Sequence, residues 1–137
     1  MVAAARTGWL VNVDADGVPL ATLLPILWEG DRVIAHMAKA NPQWQVIADN
    51  PATLLIVRGP EAYISPSWYP AKAEHGRVVP TWNYSSVHLT GVASVHLDSE
   101  WLRDAVTALT LAHEGYRPEP WQVADAPEPY VAGQLNG

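Results

Sequence analysis

The 137-residue chain has no cysteine and no phenylalanine, only two methionines, and no apolar run long enough to span a membrane. Without thiols, a disulfide framework, a thiolate zinc site, an iron–sulfur cluster and a cysteine nucleophile are all excluded. Charge is scarce as well: eight Lys and Arg stand against fourteen Asp and Glu, a net charge of −6. The deficit is uneven, because residues 98–137 carry seven acids against only Arg103 and Arg117. Direct DNA binding depends on clustered Lys and Arg that neutralise phosphates, so this subunit alone is not expected to grip nucleic acid. The N-terminus Met-Val-Ala-Ala-Ala-Arg lacks the pattern of a signal peptide, and a soluble, cytoplasmic chain with no membrane partner is expected.

Familiar catalytic signatures are missing too. The glycines form neither a dinucleotide fingerprint nor a phosphate-binding P-loop, and no nucleophile elbow is present. His88 and His96 share a strand face but lie about 26 Å apart along an extended chain, too far to hold one ion. A loop folding back could join His75 to His88 and bind a metal or haem, but isolated histidines more often serve structure. No metal site is expected.

The chain is rich in seven Trp, five Tyr and twelve Pro, within a hydrophobic fraction of 49%. Indole and phenol rings combine flat apolar area with a polar edge, which suits packing around a planar ligand. The length predicts one domain over residues 1–137, burying about two-thirds of its unfolded surface.

Residues 8–14 read as a strand, and Asp14-Ala-Asp16-Gly17 as a hairpin turn. Residues 18–28 return; Pro19 and Pro25 remove ladder donors, which predicts an edge or a bulge there. Residues 32–38 complete a meander. Asn41-Pro42 opens a helix running to about Ala48, with Asn41 as its cap. Residues 53–58 are apolar on both faces, Gly59-Pro60 interrupts, and 61–65 resume as strand. The stretch 66–86 reads as irregular. Apolar and polar residues alternate over 87–97, predicting a half-buried strand. Asp98 caps a helix to residue 114, and a last short helix begins at Asp125. The result is a mainly β (α+β) domain of about six antiparallel strands, most simply a small closed barrel with flanking helices.

Three segments could carry chemistry. In Ala35-His36-Met-Ala-Lys39-Ala-Asn41-Pro-Gln43-Trp44, a strand delivers His36 and Lys39 to a helix start whose amides attract anions. Gly59-Pro-Glu-Ala-Tyr63-Ile-Ser65-Pro-Ser67-Trp68-Tyr69 and Val79-Pro-Thr-Trp82-Asn83-Tyr84 set hydroxyls and an amide among large rings. Such a set suits a flat heteroaromatic ligand; equally, the tryptophans could simply pin a loop to the barrel.

Together with Ala21-Thr22-Leu23-Leu24-Pro25, these segments resemble the PaiB family of FMN-binding negative transcriptional regulators, over about residues 8–135. The resemblance implies a split β-barrel like that of pyridoxamine-phosphate oxidases, and a homodimer with FMN near the subunit interface. It implies that the strand bearing Thr22, Leu24 and Pro25 lies along the isoalloxazine. His36, Lys39, Asn41 and Gln43 would meet the phosphate, and Trp82 and Asn83 the ring, from the second subunit. The oxidases use Ser-Arg-Lys where this chain has Asn41-Pro42-Gln43, a grip weaker in charge. An N-terminal helix and a C-terminal strand usual in the family are expected to be missing. Two functions follow: a flavin-bound regulator, or an FMN-dependent oxidoreductase acting on a small aromatic or quinone-like substrate.

Overall fold

A computed structural model describes residues 4–135. Five antiparallel strands form one sheet: β1 (Thr7–Val13), β2 (Pro19–Glu29), β3 (Arg32–Ala35), β4 (Ala52–Ile64) and β5 (Thr81–Val92), in the spatial order β3-β2-β1-β4-β5. Helix α1 (Gln43–Asp49) lies against β1, and α2 (Ala71–Glu74) sits in the β4–β5 connection. Helix α3 (Ser99–Glu114) packs on β2, with α4 (Glu128–Leu135) against α3. No helix among the described residues is long and apolar enough to cross a membrane.

The β1–β2 turn forms as its residues dictate. Asp14 Oδ1 accepts from the amides of Asp16 (3.0 Å) and Val18 (2.8 Å), and Gly17 takes the positive φ of 82° that a side chain would resist. The two prolines of β2 find their places because that strand changes partner midway. Residues 19–25 pair with β1 and 26–29 with β3, so Pro19 and Pro25 mark the two ends of the β1 pairing.

The strand count differs from the expected six. The segments around 53–58 and 61–65 are one strand, because a register shift between Arg58 and Glu61 absorbs Gly59-Pro60 without ending the ladder. Nor is 66–86 irregular throughout. A 3₁₀ turn (Pro66–Trp68) follows Ser65, whose hydroxyl accepts from the Ser67 amide, and α2 follows that. The strand expected at 87–97 begins earlier, at Thr81, and stops at Val92. Cross-strand pairing with β4 decides those limits, a non-local contact that residue alternation cannot report. Asp98 does cap α3, accepting from the Trp101 amide at 2.9 Å. The last helix begins at Glu128, after a separate 3₁₀ turn over Val123–Asp125.

Alternation sorts the sheet into two faces. Leu24, Ile26, Leu55 and Val57 point inward, and Val57 is fully buried. Gly8 lies close beneath them: a Cβ would sit 2.8 Å from Leu55 Cδ1, so Leu55 would have to shift to admit one. On the other face the register aligns Leu23, Trp9, Ile56 and His88 in one row across four strands. Trp9 and Leu23 remain exposed.

Candidate functional site

The region where β1, β2 and α1 meet is organised by two amides. Asn12 and Gln43 are each 2% exposed, the two buried polar side chains among the described residues. Burying an amide is unfavourable unless its donors and acceptors are matched. Here they are. Gln43 Nε2 donates to Leu10 O (3.0 Å) and to Asn12 Oδ1 (3.1 Å), while Gln43 Oε1 accepts from the Thr22 hydroxyl. Thr22 Oγ1 accepts from Asn41 Nδ2 at 3.0 Å. Asn12 Nδ2 donates to Ala52 O (2.9 Å) and Thr53 Oγ1 (2.8 Å). The bonds run unbroken from β4 through β1 and β2 to the start of α1.

The β3–α1 turn is held at its other end as well. Asn41 Oδ1 accepts from the Gln43 amide (3.0 Å), the Asn41 amide donates to Ala38 O (2.9 Å), and the Trp44 indole donates to Lys39 O (3.0 Å). The cap position of α1 is Pro42, which offers no side-chain bond, so Asn41, expected as the cap, acts one residue earlier: its side-chain oxygen closes a turn onto the Gln43 amide. The helix has only seven residues, and the Gln43 and Gln45 amides are already taken, by Asn41 Oδ1 and Pro42 O. Attraction for an anion consequently falls on the exposed His36 and Lys39 side chains more than on the helix start.

On the outward sheet face, opposite the one that carries Asn12, Thr22 and Leu24, Thr7, Trp9, Leu23, Ile56, Arg58 and Gly59 line a shallow groove of about 240 Å³. Trp9 and Leu23 offer flat apolar surface, and Arg58, paired with Glu61, places a guanidinium at the rim. The groove sets ring, aliphatic and cationic groups side by side, in a space below the roughly 300 Å³ at which small-molecule pockets begin.

The far half of the β4–β5 ribbon is different in kind. Tyr63, Trp68, Tyr69, Trp82 and Tyr84 are all exposed, Trp82 by 56% and Tyr84 by 72%. The tryptophans do not pin the loop to the sheet. One ring contact joins Tyr63 to Trp82, with centroids 6.2 Å apart and tilted by 48°. The loop is shaped by short polar bonds instead: Lys72 Nζ to Ser67 Oγ (2.9 Å) and the Arg77 amide to His75 Nδ1 (3.0 Å).

The structure thus brings together Thr22, Asn41 and Gln43, with His36 and Lys39 on the same turn. Leu24 points into the core, whereas Pro25 is exposed at the junction of the β1 and β3 pairings. Trp82 and Asn83 lie elsewhere. Strand β5 is three positions from β2, roughly 14 Å, and Trp82 lies six residues beyond the Leu23–His88 row, roughly 20 Å along the strand. Asn12, Trp9 and Arg58 were not foreseen. An Asn in a strand otherwise apolar on that face was the available signal for Asn12; the roles of Trp9 and Arg58 depend on register.

The whole chain, residues 1–137, matches the family described as "Putative FMN-binding domain". The chain belongs to that family. It is 37% identical to "Protease synthase and sporulation protein PAI 2" of Bacillus subtilis, over 76% of this chain and 49% of that protein. It is 33% identical to the protein YKL070W of Saccharomyces cerevisiae, over 64% and 53% respectively. The chain therefore spans about half the length of the curated relatives it matches. Among solved structures it resembles a "putative 5-nitroimidazole antibiotic resistance protein" from Bacteroides thetaiotaomicron, with a TM-score of 0.66 and 11% identity over 97% of this chain and 70% of that one. It also resembles an F420 reductase, with a TM-score of 0.52 and 20% identity over 85% and 76%. The fold is a split barrel, and the chain is a PaiB-like FMN-binding domain with FMN as its cofactor.

Proposed function

We propose that the chain works as a flavin-bound homodimeric regulator, each FMN being held by residues of two subunits. When bound, FMN brings a redox-active ring and a phosphate. His36, Lys39 and Asn41 would face the phosphate from the β3–α1 turn, with Thr22 and Gln43 behind them. On β2, the backbone and the outward Pro25 would lie along the ring, because Leu24 is turned into the core. Trp82 and Asn83 would reach the ring from the partner.

The observation that carries this reading is the division of the expected site within one chain. The turn and the aromatic ribbon lie far apart on the sheet, so a twofold-related copy is the economical way to unite them. Surface area agrees. The chain exposes 9446 Å², against roughly 7,000 Å² for a compact monomer of its mass. The excess is ample for the roughly 800 Å² per partner of a stable interface. Regulation would proceed through a protein partner rather than a direct hold on DNA, since residues 98–137 are strongly acidic.

Titrating cofactor-free protein with FMN tests the reading. Saturable quenching of flavin fluorescence at one flavin per subunit is expected, in a species of twice the chain mass. Lys39→Ala and Trp82→Ala should each weaken binding about tenfold or more, the loss of one charge-assisted bond or one stacked ring. Binding by a monomer, or a Trp82→Ala protein that binds normally, would contradict it.

A further inference from the structure

We infer that Asn12 and Gln43 are positioning residues, and that their buried amides, not α1's packing or its ends, set the place of the β3–α1 turn. Gln43 is the first residue of α1, yet its side chain reaches back under the sheet to Leu10 O, Asn12 Oδ1 and the Thr22 hydroxyl. Asn12 carries the connection on to β4. Through Thr22 the same network reaches Asn41, and Asn41 in turn binds the Gln43 amide, closing a ring around the turn. With both amides almost wholly enclosed, their bonds face no competition from water. Helix α1 is too short to hold a position by itself, since helices of this length are marginal without tertiary support.

The consequence for function rests on the FMN reading: Gln43 acts through Asn41 and Thr22 and does not touch the ligand. The Trp44 indole and the Asn41 amide, which bond Lys39 O and Ala38 O, report on the turn without any ligand.

Gln43→Glu provides the test, because it keeps the shape and exchanges a donor for an acidic oxygen. Every hydrogen-bonding partner of Gln43 is neutral: Leu10, Asn12, Leu20, Thr22 and Asn41. Nor does α1 carry an acid in its first turn or a base in its last. Burial raises the introduced carboxyl's pKa. When neutral, at about pH 5, the acid donates to one acceptor and accepts from Thr22; when ionised, at about pH 8, it faces two oxygens and must break away. In ligand-free protein, hydrogen exchange of the Trp44 indole and the Asn41 amide should then be about tenfold or more faster than in wild type at the higher pH. It should return to within about threefold at the lower pH, while the amides of Leu55 and Val57 stay protected at both. If Leu55 and Val57 also lose protection, Thr22→Val removes the hydroxyl link alone and is read in the same way. Turn exchange unchanged from wild type, in whichever variant keeps its core, overturns the inference. FMN affinity, measured as a ratio to wild type at each pH, should follow the exchange. A wild-type protein that binds no FMN would defeat the functional reading and leave the exchange result standing.

Discussion

The two halves of the β4 strand have opposite surroundings. From Ala52 to Val57 it lies between β1 and β5, its inward residues Leu55 and Val57 form the core, and Thr53 belongs to the buried amide network. Beyond the register shift at Arg58–Glu61 it pairs with β5 alone, and its neighbours are exposed rings. The first half obtains from its own chain all the partners it needs. No buried side-chain polar atom among the described residues lacks a hydrogen bond. Around the second half five aromatic side chains are exposed, Tyr63, Trp68, Tyr69, Trp82 and Tyr84, with a ring contact between Tyr63 and Trp82. The contrast separates residues that build the core from residues left exposed on the sheet.

Substitutions should divide along the same line. Ile26→Ala, at a position 1% exposed within the core cluster, should lower unfolding free energy by about 2–5 kcal/mol in a denaturant titration. A loss under about 1 kcal/mol would mean that the sheet is not packed as described. Trp82→Ala should act in the opposite manner. In dilute, cofactor-free protein it should change stability by no more than about 0.5 kcal/mol, the range of surface positions, yet it should weaken the dimer and its FMN. A large stability loss at high dilution would show that the ribbon packs on its own chain, and the contrast would fail.

How much of this was legible beforehand differs between the two regions. The hairpin turn at Asp14–Gly17 and the Asp98 cap depend on local bonds, and each was readable from residue type; Asn41 was expected to cap α1, a place that Pro42 takes. Residues 36–43 were expected to act together, and Ala38, Lys39, Asn41, Gln43 and Trp44 are bonded into one turn. Pairing was harder. Gly59-Pro60 resembles a strand end but is a bulge, because β5 continues alongside to supply the ladder. The burial of Gln43 was invisible for the same reason. A glutamine beside a helix start suggests a surface ligand contact, and only the approach of Asn12 and Thr22 from other strands draws it inside. Trp82 and Asn83 were expected beside the ring, and their distance from Thr22 follows from the strand order, which local pattern does not contain.

Mixing the two single variants, Lys39→Ala and Trp82→Ala, tests the shared site most directly. Each homodimer would carry two damaged sites. After unfolding and refolding an equal mixture, half the dimers combine one of each, and twofold symmetry gives every such dimer one intact site and one doubly damaged site. The account predicts that about one quarter of all sites regain wild-type FMN affinity on mixing. If affinity stays at the level of the separate variants, Lys39 and Trp82 do not serve one flavin from different subunits, and the division of the site between two chains is wrong.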